Sequence, residues 1–189
     1  LGSSSAVTVG LLNALHRFNG NEVSPEVLAA QACQIEIDIL GQPIGRQDQY
    51  ASALGGVNHI RFLPDDGVVV EPLDLSQELL QRIENEFTLL YTGMTRSASM
   101  MLEEQSVNSP ENMAQLDEMC EQARQARGLL LSGDLNKLGE LLHEGWMLKK
   151  ELASGISVPE IDSLYQTIRE HGATGGKLLG AGGGGFILF

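Results

Sequence analysis

The feature that most constrains the fold of this 189-residue chain is a glycine run near its carboxyl end. Five of the six residues at positions 180–185 are glycine, and the apolar, strand-like residues 186–189 follow directly. Each glycine inside an element costs about 0.5–1 kcal/mol relative to alanine, so the run predicts positive φ angles or close backbone approach to a ligand or a helix. The run also fits G-x-G-x-x-G, but a dinucleotide site needs a helix after the third glycine. We therefore exclude that site and keep a tight turn between two strands as the structural alternative.

A second segment of glycine and serine lies at the amino end, where Gly2, Ser3, Ser4 and Ser5 precede a predicted helix. That helix is predicted from apolar residues at three- and four-residue spacing, namely Val7, Leu11, Leu15 and Phe18. The first turn of a helix has free N–H groups and attracts anions, and serine hydroxyls add donors or a metal ligand. The plainer interpretation is that serine is a favoured helix cap. The Walker pattern G-x-x-x-x-G-K-S/T is absent, which excludes an ordinary P-loop.

Two carboxylates stand out among the acidic residues. Glu36 borders the apolar stripe of a second predicted helix, which starts at Ser24 and includes Ala32. Asp48 lies in a polar loop predicted over residues 43–49. Carboxylates together with a serine hydroxyl suit Mg²⁺, which prefers a few hard oxygen ligands, water and substrate phosphates. A solvated helix face for Glu36, and a turn or cap position for Asp48, are the alternatives.

The rest of the chain alternates irregularly between helices and strands, and its pattern changes near Leu75. Helices are predicted near residues 79–87 and over 109–127, 134–148 and 159–171, and strands over 57–62, 68–70, 87–91, 177–179 and 186–189. We expect the strand at 87–91 to be buried. This order of elements predicts two α+β halves.

The charge balance narrows the classes of partner. Acidic residues outnumber basic residues by 25 to 12, which gives a net charge of −13. Binding along a nucleic acid needs clustered Lys and Arg, so we expect no nucleic-acid partner, although a small phosphorylated ligand needs only a few local donors. No uncharged apolar run reaches the ~18 residues of a membrane span. We therefore expect no membrane segment. Cys33 and Cys120 are far apart in the sequence and look unpaired, which is typical of proteins in a reducing compartment, so we expect a cytoplasmic protein.

Three short segments, taken in order, resemble the motifs of the GHMP small-molecule kinases. Residues 1–6 resemble the central phosphate-binding motif of that family, residues 47–49 the segment with the catalytic aspartate, and residues 176–185 the C-terminal glycine motif. Four further segments are similar to the D-glycero-D-manno-heptose 7-phosphate kinase branch of the family, namely residues 35–38, 43–50, 91–99 and 145–150. The resemblance extends over nearly the whole chain.

The resemblance implies an α+β fold with two domains. Residues 1–74 would be the remainder of an ATP-binding domain like the second domain of ribosomal protein S5. Residues 75–189 would form a ferredoxin-like C-terminal domain. The family has a further stretch before the first of these segments and continues beyond the last, so we expect a chain truncated at both ends that is inactive on its own.

The resemblance also implies a reaction, the ATP-dependent phosphorylation of the anomeric hydroxyl of a sugar phosphate, with ATP and Mg²⁺ as cofactors. Asp48 would be the general base or would orient the hydroxyl, and Ser4 would ligate Mg²⁺ together with Glu36. The phosphates of ATP would be bound by Gly2, Ser3, Ser4, Ser5, Gly180, Gly182, Gly183 and Gly184. The sugar phosphate would be bound by Arg46, Thr95 and Arg96, with a surface ion pair as the equal alternative for Arg96.

Two rival functions stay open at this point. Another kinase of the same family, acting on galactose, fucose or mevalonate, would share the three motifs. A catalytically silent sugar-binding module, or a structural remnant, would share the fold without the reaction. In each case we expect small-molecule partners, and a homodimer is compatible with the sequence.

Overall fold

The computed structural model describes residues 2–94 and 98–189, with the backbone alone for residues 98–101. These residues form two compact units, Gly2–Asp74 and 75–189. Each unit combines helices with a small antiparallel sheet. This mixture of elements confirms the α+β fold class.

The amino-terminal unit begins with helix α1 (Ser3–Phe18), followed by α2 (Pro25–Cys33), and α2 continues as wider π-helical turns over Gln34–Ile39. Helix α3 (Gln47–Leu54) precedes a hairpin of strands β1 (Asn58–Phe62) and β2 (Val68–Pro72). The start of α2 follows local rules, because the Ser24 hydroxyl accepts a hydrogen bond from the Val27 N–H and proline occupies the first helical position.

The core of this unit lies among its three helices. Ala29 and Ala32 of α2 are completely buried, and Val9, Leu28 and Tyr50 pack beside them at 6–7% exposure. Small side chains in the middle helix let α1 and α3 approach its backbone closely, and close approach is what excludes water from the helix contacts. This packing places the first turns of α1 and α3 against the π-helical end of α2.

The apolar face predicted for α1 points away from this core. Val7, Leu11, Leu15 and Phe18 form the expected helix, but their exposed fractions are 70, 59, 50 and 88%. The buried side of α1 instead contains Ser5 and Val9. The helix was predictable from local spacing, whereas its orientation depends on where α2 and α3 pack.

The carboxyl-terminal unit contains five helices and a three-stranded sheet among the described residues. The helices are α4 (Gln77–Glu86), α5 (Ala98–Asn108), α6 (Met113–Ser132), α7 (Leu135–Glu151) and α8 (Pro159–Glu170). The strands are β3 (Leu89–Tyr91), β4 (Lys177–Leu178) and β5 (Phe186–Leu188), and the antiparallel order is β3-β5-β4. The central strand, β5, therefore pairs with both of its neighbours.

The core of this unit lies between α7, α8 and the sheet. Trp146, Ile161, Leu178 and Ile187 are completely buried, and Tyr165 is 6% exposed. Burial of each such side chain contributes roughly 1.5–3 kcal/mol. Trp146 is thus a core residue.

Three predictions about the elements need correction. Asp48 lies in the first turn of α3 rather than in a loop, because the helix begins at Gln47. The helix predicted from Ser109 begins at Met113, and α5 was not predicted because it lacks an apolar stripe. The strand predicted as buried over 87–91 covers only Leu89–Tyr91, and Leu89 and Tyr91 are each 51% exposed because β3 is an edge strand.

None of the described helices is both long and apolar enough to cross a membrane.

Candidate functional site

The buried carboxylate of Glu36 lies at the centre of a polar cluster in the amino-terminal unit. Its side chain is 4% exposed, and it accepts hydrogen bonds from three neutral donors. The Ser5 hydroxyl and Gln49 Nε2 both donate to Oε2, at 2.8 and 2.5 Å. The single proton of the Thr8 hydroxyl is shared between Oε1 at 3.2 Å and the Ser4 carbonyl at 3.1 Å. A buried carboxylate is tolerated only when such donors replace water.

The charge of this carboxylate is not balanced by a protein cation within the described residues. No Lys, Arg or His lies within ion-pair distance of Glu36 there. A negative charge that is hydrogen-bonded but lacks a cation is suited to an external cation. The oxygen Oε1, which accepts one hydrogen bond rather than two, is the better placed of the two oxygens to bind it.

The local backbone around Glu36 is unusual in a way that fits a site. Residues Gln34–Ile39 form π-helical turns, in which the Leu40 N–H donates to the Ile35 carbonyl. The Gln42 N–H donates to the carbonyl of Glu36 itself at 3.0 Å, which ties the following loop to this turn. Wide turns of this kind occur often at functional positions because they redirect a side chain.

The serines of α1 divide between the two sides of the helix. Ser5 is 2% exposed and contacts Glu36, whereas Ser3 and Ser4 are exposed. Ser3, Ser4, Thr8 and Glu36 all line one open cavity of about 640 Å³. The structure therefore brings Ser4 and Glu36 to the same cavity, with the Ser5 hydroxyl already engaged behind it.

The first turn of α1 presents free donors to this region. The first intrahelical bond runs from the Ala6 N–H to the Gly2 carbonyl, so the N–H groups before Ala6 have no partner inside the helix. Gly2 has φ 56°, a left-handed conformation that favours glycine, and it starts the helix at this point. The arrangement can bind an anion, because these N–H groups lie at the positive end of the helix dipole.

Asp48 lies beside this turn. A Cβ atom placed on Gly2 would be 3.5 Å from the Asp48 carboxyl carbon, an ordinary van der Waals distance, so the two segments are neighbours. Asp48 is exposed, in contrast to its neighbour Gln49, which is completely buried. An exposed carboxylate at the edge of a group of anion-binding N–H groups can accept a proton from a bound hydroxyl.

Arg46 contacts the hairpin rather than the cavity. Its Nη1 donates to the Asp66 carbonyl at 3.0 Å and lies 3.6 Å from the Asp66 carboxylate, and its guanidinium lies 5.2 Å from the centre of the Phe62 ring. Its assignment to a sugar phosphate stays a prediction. Thr95 and Arg96 lie outside the described residues.

The glycine run belongs to the carboxyl-terminal unit, where it connects β4 to β5. Gly182 has φ 119°, and a Cβ atom there would lie 2.9 Å from the Ile156 Cα. The Gly183 N–H donates to the Ile156 carbonyl at 2.9 Å. The predicted positive φ and close approach are thus confirmed, and the neighbour is backbone. Phosphate binding by Gly180, Gly182, Gly183 and Gly184 stays a prediction.

Two residues of the Glu36 cluster were missed by the sequence analysis, namely Thr8 and Gln49. Thr8 follows Ser5 by three positions, and this spacing places both hydroxyls on one helix face. That spacing could have identified Thr8 as a neighbour of Glu36. Nothing in the sequence indicates that Gln49 is buried there, because a polar residue in a short helix is expected at the surface.

The donor set around Glu36 fits Mg²⁺ better than a transition metal. No cluster of three or more His, Cys, Asp or Glu side chains that could hold a metal exists in the part of the chain that the structure describes. Mg²⁺ commonly takes only one or two carboxylates, keeps several waters and shares substrate phosphates. One carboxylate and one serine hydroxyl at a cavity therefore suffice for this ion.

Two family models match the chain. The model described as GHMP kinases N terminal domain matches residues 1–56, and the model described as GHMP kinases C terminal matches residues 126–189. The first match includes the serine turn, Glu36 and Asp48. The second includes the glycine run.

Individual proteins are similar over the whole chain. A D-glycero-alpha-D-manno-heptose 7-phosphate kinase from Campylobacter jejuni is 29% identical over 100% of this chain and 56% of its own length. A mevalonate kinase from Methanothermobacter thermautotrophicus is 30% identical over 100% of this chain and 59% of its own length. The crystal structure of a D-glycero-D-manno-heptose 1-phosphate kinase from Bacteroides thetaiotaomicron superposes with a TM-score of 0.72 at 28% identity, covering 100% of this chain and 52% of that one. The chain thus spans a little over half the length of these relatives.

Proposed function

Because the chain belongs to the GHMP kinase family, we propose that it forms part of an ATP-dependent kinase of D-glycero-D-manno-heptose 7-phosphate. The γ-phosphate of ATP is transferred to the anomeric hydroxyl, and the product is heptose 1,7-bisphosphate. The similarity to a heptose 7-phosphate kinase along the full chain supports this choice of substrate. The free cysteines Cys33 and Cys120 support a location in the cytoplasm, where ATP is available.

The observation that carries the proposal is the environment of Glu36. A buried carboxylate, with no cation at ion-pair distance among the residues that the structure describes, shares a cavity with Ser3 and Ser4, next to a helix turn with free N–H groups. Phosphoryl transfer requires mainly positioning and neutralisation of charge. A cation site next to an anion site can provide both. A sugar-binding module without catalysis has no need for a buried, unbalanced carboxylate.

Each residue of this cluster receives a role in the proposal. Ser4 and Glu36 hold Mg²⁺, which when bound neutralises charge on the phosphates of ATP. The N–H groups of Ser3 and Ser5 and the glycine backbone at Gly2 hold phosphate oxygens. The buried donors of Ser5 and Gln49, together with the partly buried hydroxyl of Thr8, keep the carboxylate of Glu36 in one orientation.

Asp48 acts on the acceptor hydroxyl in this scheme. Two versions of its role are compatible with an exposed carboxylate next to Gly2. It takes the proton of the hydroxyl as the hydroxyl attacks, or it orients the hydroxyl by accepting a hydrogen bond from it. Both versions require the charged carboxylate, so replacing it by an amide tests them together.

The nearest alternative is a kinase of the same family with another acceptor. The similarity to a mevalonate kinase, at 30% identity, favours mevalonate as the first acceptor to compare. Galactose and fucose complete the comparison. The Glu36 cluster would serve all four acceptors equally, because it faces the nucleotide phosphates in the proposal and not the sugar.

The decisive experiment is an acceptor panel with ATP and Mg²⁺. We propose to assay this chain beside a version extended at both ends to the length of its relatives, with heptose 7-phosphate, galactose, fucose and mevalonate. We expect the extended protein to phosphorylate heptose 7-phosphate preferentially and the 189-residue chain to be inactive. Preference for mevalonate would replace the substrate, activity on none of the four would contradict the kinase function, and equal activity of both chains would contradict the expected inactivity.

A further inference from the structure

Arg46 is the residue directly before helix α3, and the β1–β2 hairpin binds its side chain. Its guanidinium donates to the Asp66 carbonyl, faces the Asp66 carboxylate and lies over the ring of Phe62. Only 28% of the side chain is exposed, and Arg46 does not line the cavity of Ser4 and Glu36. The guanidinium is therefore already bound on several sides by the protein itself.

The start of α3 depends on contacts with other elements. The helix has only eight residues, and the side chain of its N-cap residue, Arg46, forms no hydrogen bond to it. Helices this short are marginal on their own, so tertiary packing determines where they begin. The Tyr50 N–H donates to the Arg46 carbonyl over a long distance of 3.5 Å. The position of Arg46 therefore affects the first turn of α3, which includes Asp48.

The Phe62 ring connects Arg46 to the helix a second time. The ring of Tyr50 in α3 meets the Phe62 ring edge-on, with centres 5.7 Å apart and planes at 79°. Tyr50 is buried, and the guanidinium of Arg46 is 5.2 Å from the centre of the same Phe62 ring. Both kinds of ring contact depend on orientation. One hairpin residue thus holds the chain on both sides of Asp48, at positions 46 and 50.

The hairpin turn that binds Arg46 is held by its own hydrogen bonds. The Leu63 N–H donates to the Gly67 carbonyl at 2.8 Å, and the Asp66 N–H donates to the Leu63 carbonyl at 3.1 Å. Asp66 has φ 64°, a left-handed conformation that Asp adopts more readily than most residues. The carbonyl that accepts the hydrogen bond from Arg46 therefore belongs to a turn with a defined conformation.

We propose that Arg46 is a positioning residue for Asp48. Anchored on the hairpin, Arg46 fixes the first turn of α3 and keeps the Asp48 carboxylate beside Gly2. The inference rests on the proposed function, in which Asp48 acts on the acceptor hydroxyl, and a misplacement of about 1 Å can cost roughly 10²-fold in rate. It differs from the sugar-phosphate role that the resemblance implies for Arg46, because a ligand of the sugar phosphate acts on substrate binding.

NMR spectroscopy of the 189-residue chain tests the anchoring without turnover. Gly2 and Asp48 are neighbours, so we expect a nuclear Overhauser effect between the Gly2 Hα and Asp48 Hβ protons. Arg46→Met should weaken this signal and speed the amide exchange of Tyr50 at least about tenfold. An unchanged signal, with unchanged exchange at Tyr50, would overturn the proposal.

Arg61→Met is the matched control for this measurement. Arg61 is exposed on strand β1 of the same hairpin, and its side chain has no hydrogen-bond or ion-pair partner in the part of the chain that the structure describes. The same substitution there should leave the Gly2–Asp48 signal and the exchange of Tyr50 unchanged. Equal effects of the two substitutions would show that a general weakening of the hairpin is the cause, and would contradict the role of Arg46.

Kinetics of the extended protein separates the two roles of Arg46. With heptose 7-phosphate as the varied substrate, we expect Arg46→Met to lower kcat by about 10- to 100-fold and to change KM by less than about twofold. Arg46→Lys, which can still donate to the Asp66 carbonyl, should retain more of kcat than Arg46→Met. A raised KM with unchanged kcat would identify a ligand of the sugar phosphate and would overturn the positioning role.

Phe62→Leu gives an independent variant that leaves the charge of Arg46 in place. It removes the ring that contacts both Arg46 and Tyr50, so we expect kcat to fall at least about threefold with little change in KM. A ligand of the sugar phosphate would not need this ring. Unchanged kcat in Phe62→Leu would therefore count against the proposal.

Failure of this inference and failure of the kinase proposal give different results. If the extended parent phosphorylates none of the acceptors, the kinase proposal fails, and the Gly2–Asp48 signal still decides whether Arg46 anchors Asp48. If the parent is active and both Arg46→Met and Phe62→Leu retain its kcat, the kinase proposal stands and the positioning role is wrong.

Discussion

At the scale of single residues, the acidic centre of the amino-terminal unit depends on an uncharged neighbour. Gln49 is completely buried, donates to Glu36 at 2.5 Å and keeps its own Oε1 without a hydrogen-bond partner among the described residues. A buried polar atom without a partner costs free energy, so the position is not optimised for stability alone. It fits a residue that is kept because of the carboxylate it orients.

Replacing Gln49 by methionine tests this dependence. Methionine has a similar shape but donates no hydrogen bond, so the buried Glu36 loses a donor, and we expect the free energy of unfolding to fall by about 1–3 kcal/mol. Urea unfolding at pH 7 measures the change. Gln47→Met, at an exposed position in the same helix turn, is the matched control and should change stability by less than about 0.5 kcal/mol. Equal losses in the two variants would show that the hydrogen bond to Glu36 is not the cause.

Asp48→Asn, made in the extended protein of the acceptor panel, separates the proposed chemistry from folding. Asp48 is exposed, so we expect stability to stay within about 0.5 kcal/mol of the parent. The amide can neither take a proton nor carry the charge, and we expect kcat to fall by roughly 10²–10⁴-fold. Steady-state kinetics with ATP as the varied substrate provides the measurement, and KM for ATP should change little. An unaltered kcat would remove Asp48 from the mechanism.

The lowered pKa of Lys149 predicts a pH dependence of stability. Its pKa is about 8 in the folded chain and about 10.4 in an unfolded one, so the unfolded chain binds more protons between these values. Stability contributed at this position is therefore lowest below pH 8 and rises as the pH increases towards 10.4. In phosphate-free buffer, the stability difference between Lys149→Met and the parent should shrink between pH 7.5 and 9.5. A constant difference would contradict the burial of a charged amine.

At the scale of elements, the turn between β4 and β5 fits against one backbone segment. Gly182 approaches Ile156 too closely for a side chain and has a φ that alanine adopts only under strain. We expect Gly182→Ala to destabilise the protein by about 1–3 kcal/mol. Gly10 is the opposite case, because it lies inside α1 and no atom is within 4 Å of an added Cβ. Alanine favours the helix more than glycine does, so Gly10→Ala should stabilise the protein by up to about 1 kcal/mol. Thermal unfolding compares the two, and changes of the same sign would refute the argument.

The element types follow largely from local sequence, and their contacts do not. The start of α2 at Ser24 and Pro25 and the turn before β2 are encoded within a few residues, so both are predictable. The hydrogen bonds from Ser5 and Gln49 to Glu36 join residues 31 and 13 positions apart, and no periodicity reveals them. The sequence therefore indicates which residues carry chemistry, whereas the packing of α1 and α3 on α2 determines which serine meets the carboxylate.

At the scale of the whole molecule, the two units carry different parts of the proposed chemistry. The unit Gly2–Asp74 contains the Glu36 cluster and Asp48, and the unit 75–189 contains the glycine turn. Each set can be examined by itself through binding and stability. The family and the α+β class were predictable because the three motifs occur in the expected order, while the choice among related acceptors depends on residues that the motifs do not include.

The outward-facing stripe on α1 has a consequence for the behaviour of the chain in solution. An apolar patch is exposed on α1 and consists of Val7, Leu11, Leu15 and Phe18. The net charge of −13 makes copies of the protein repel one another. Salt screens that repulsion but does not weaken contacts between apolar patches, so the protein should associate. Light scattering should therefore increase with ionic strength at constant protein concentration. Phe18 is 88% exposed, so Phe18→Ser should weaken this salt-induced association without altering the fold. Leu28 lies in the core, so Leu28→Ser should alter the fold and should not reduce the association while leaving the fold intact.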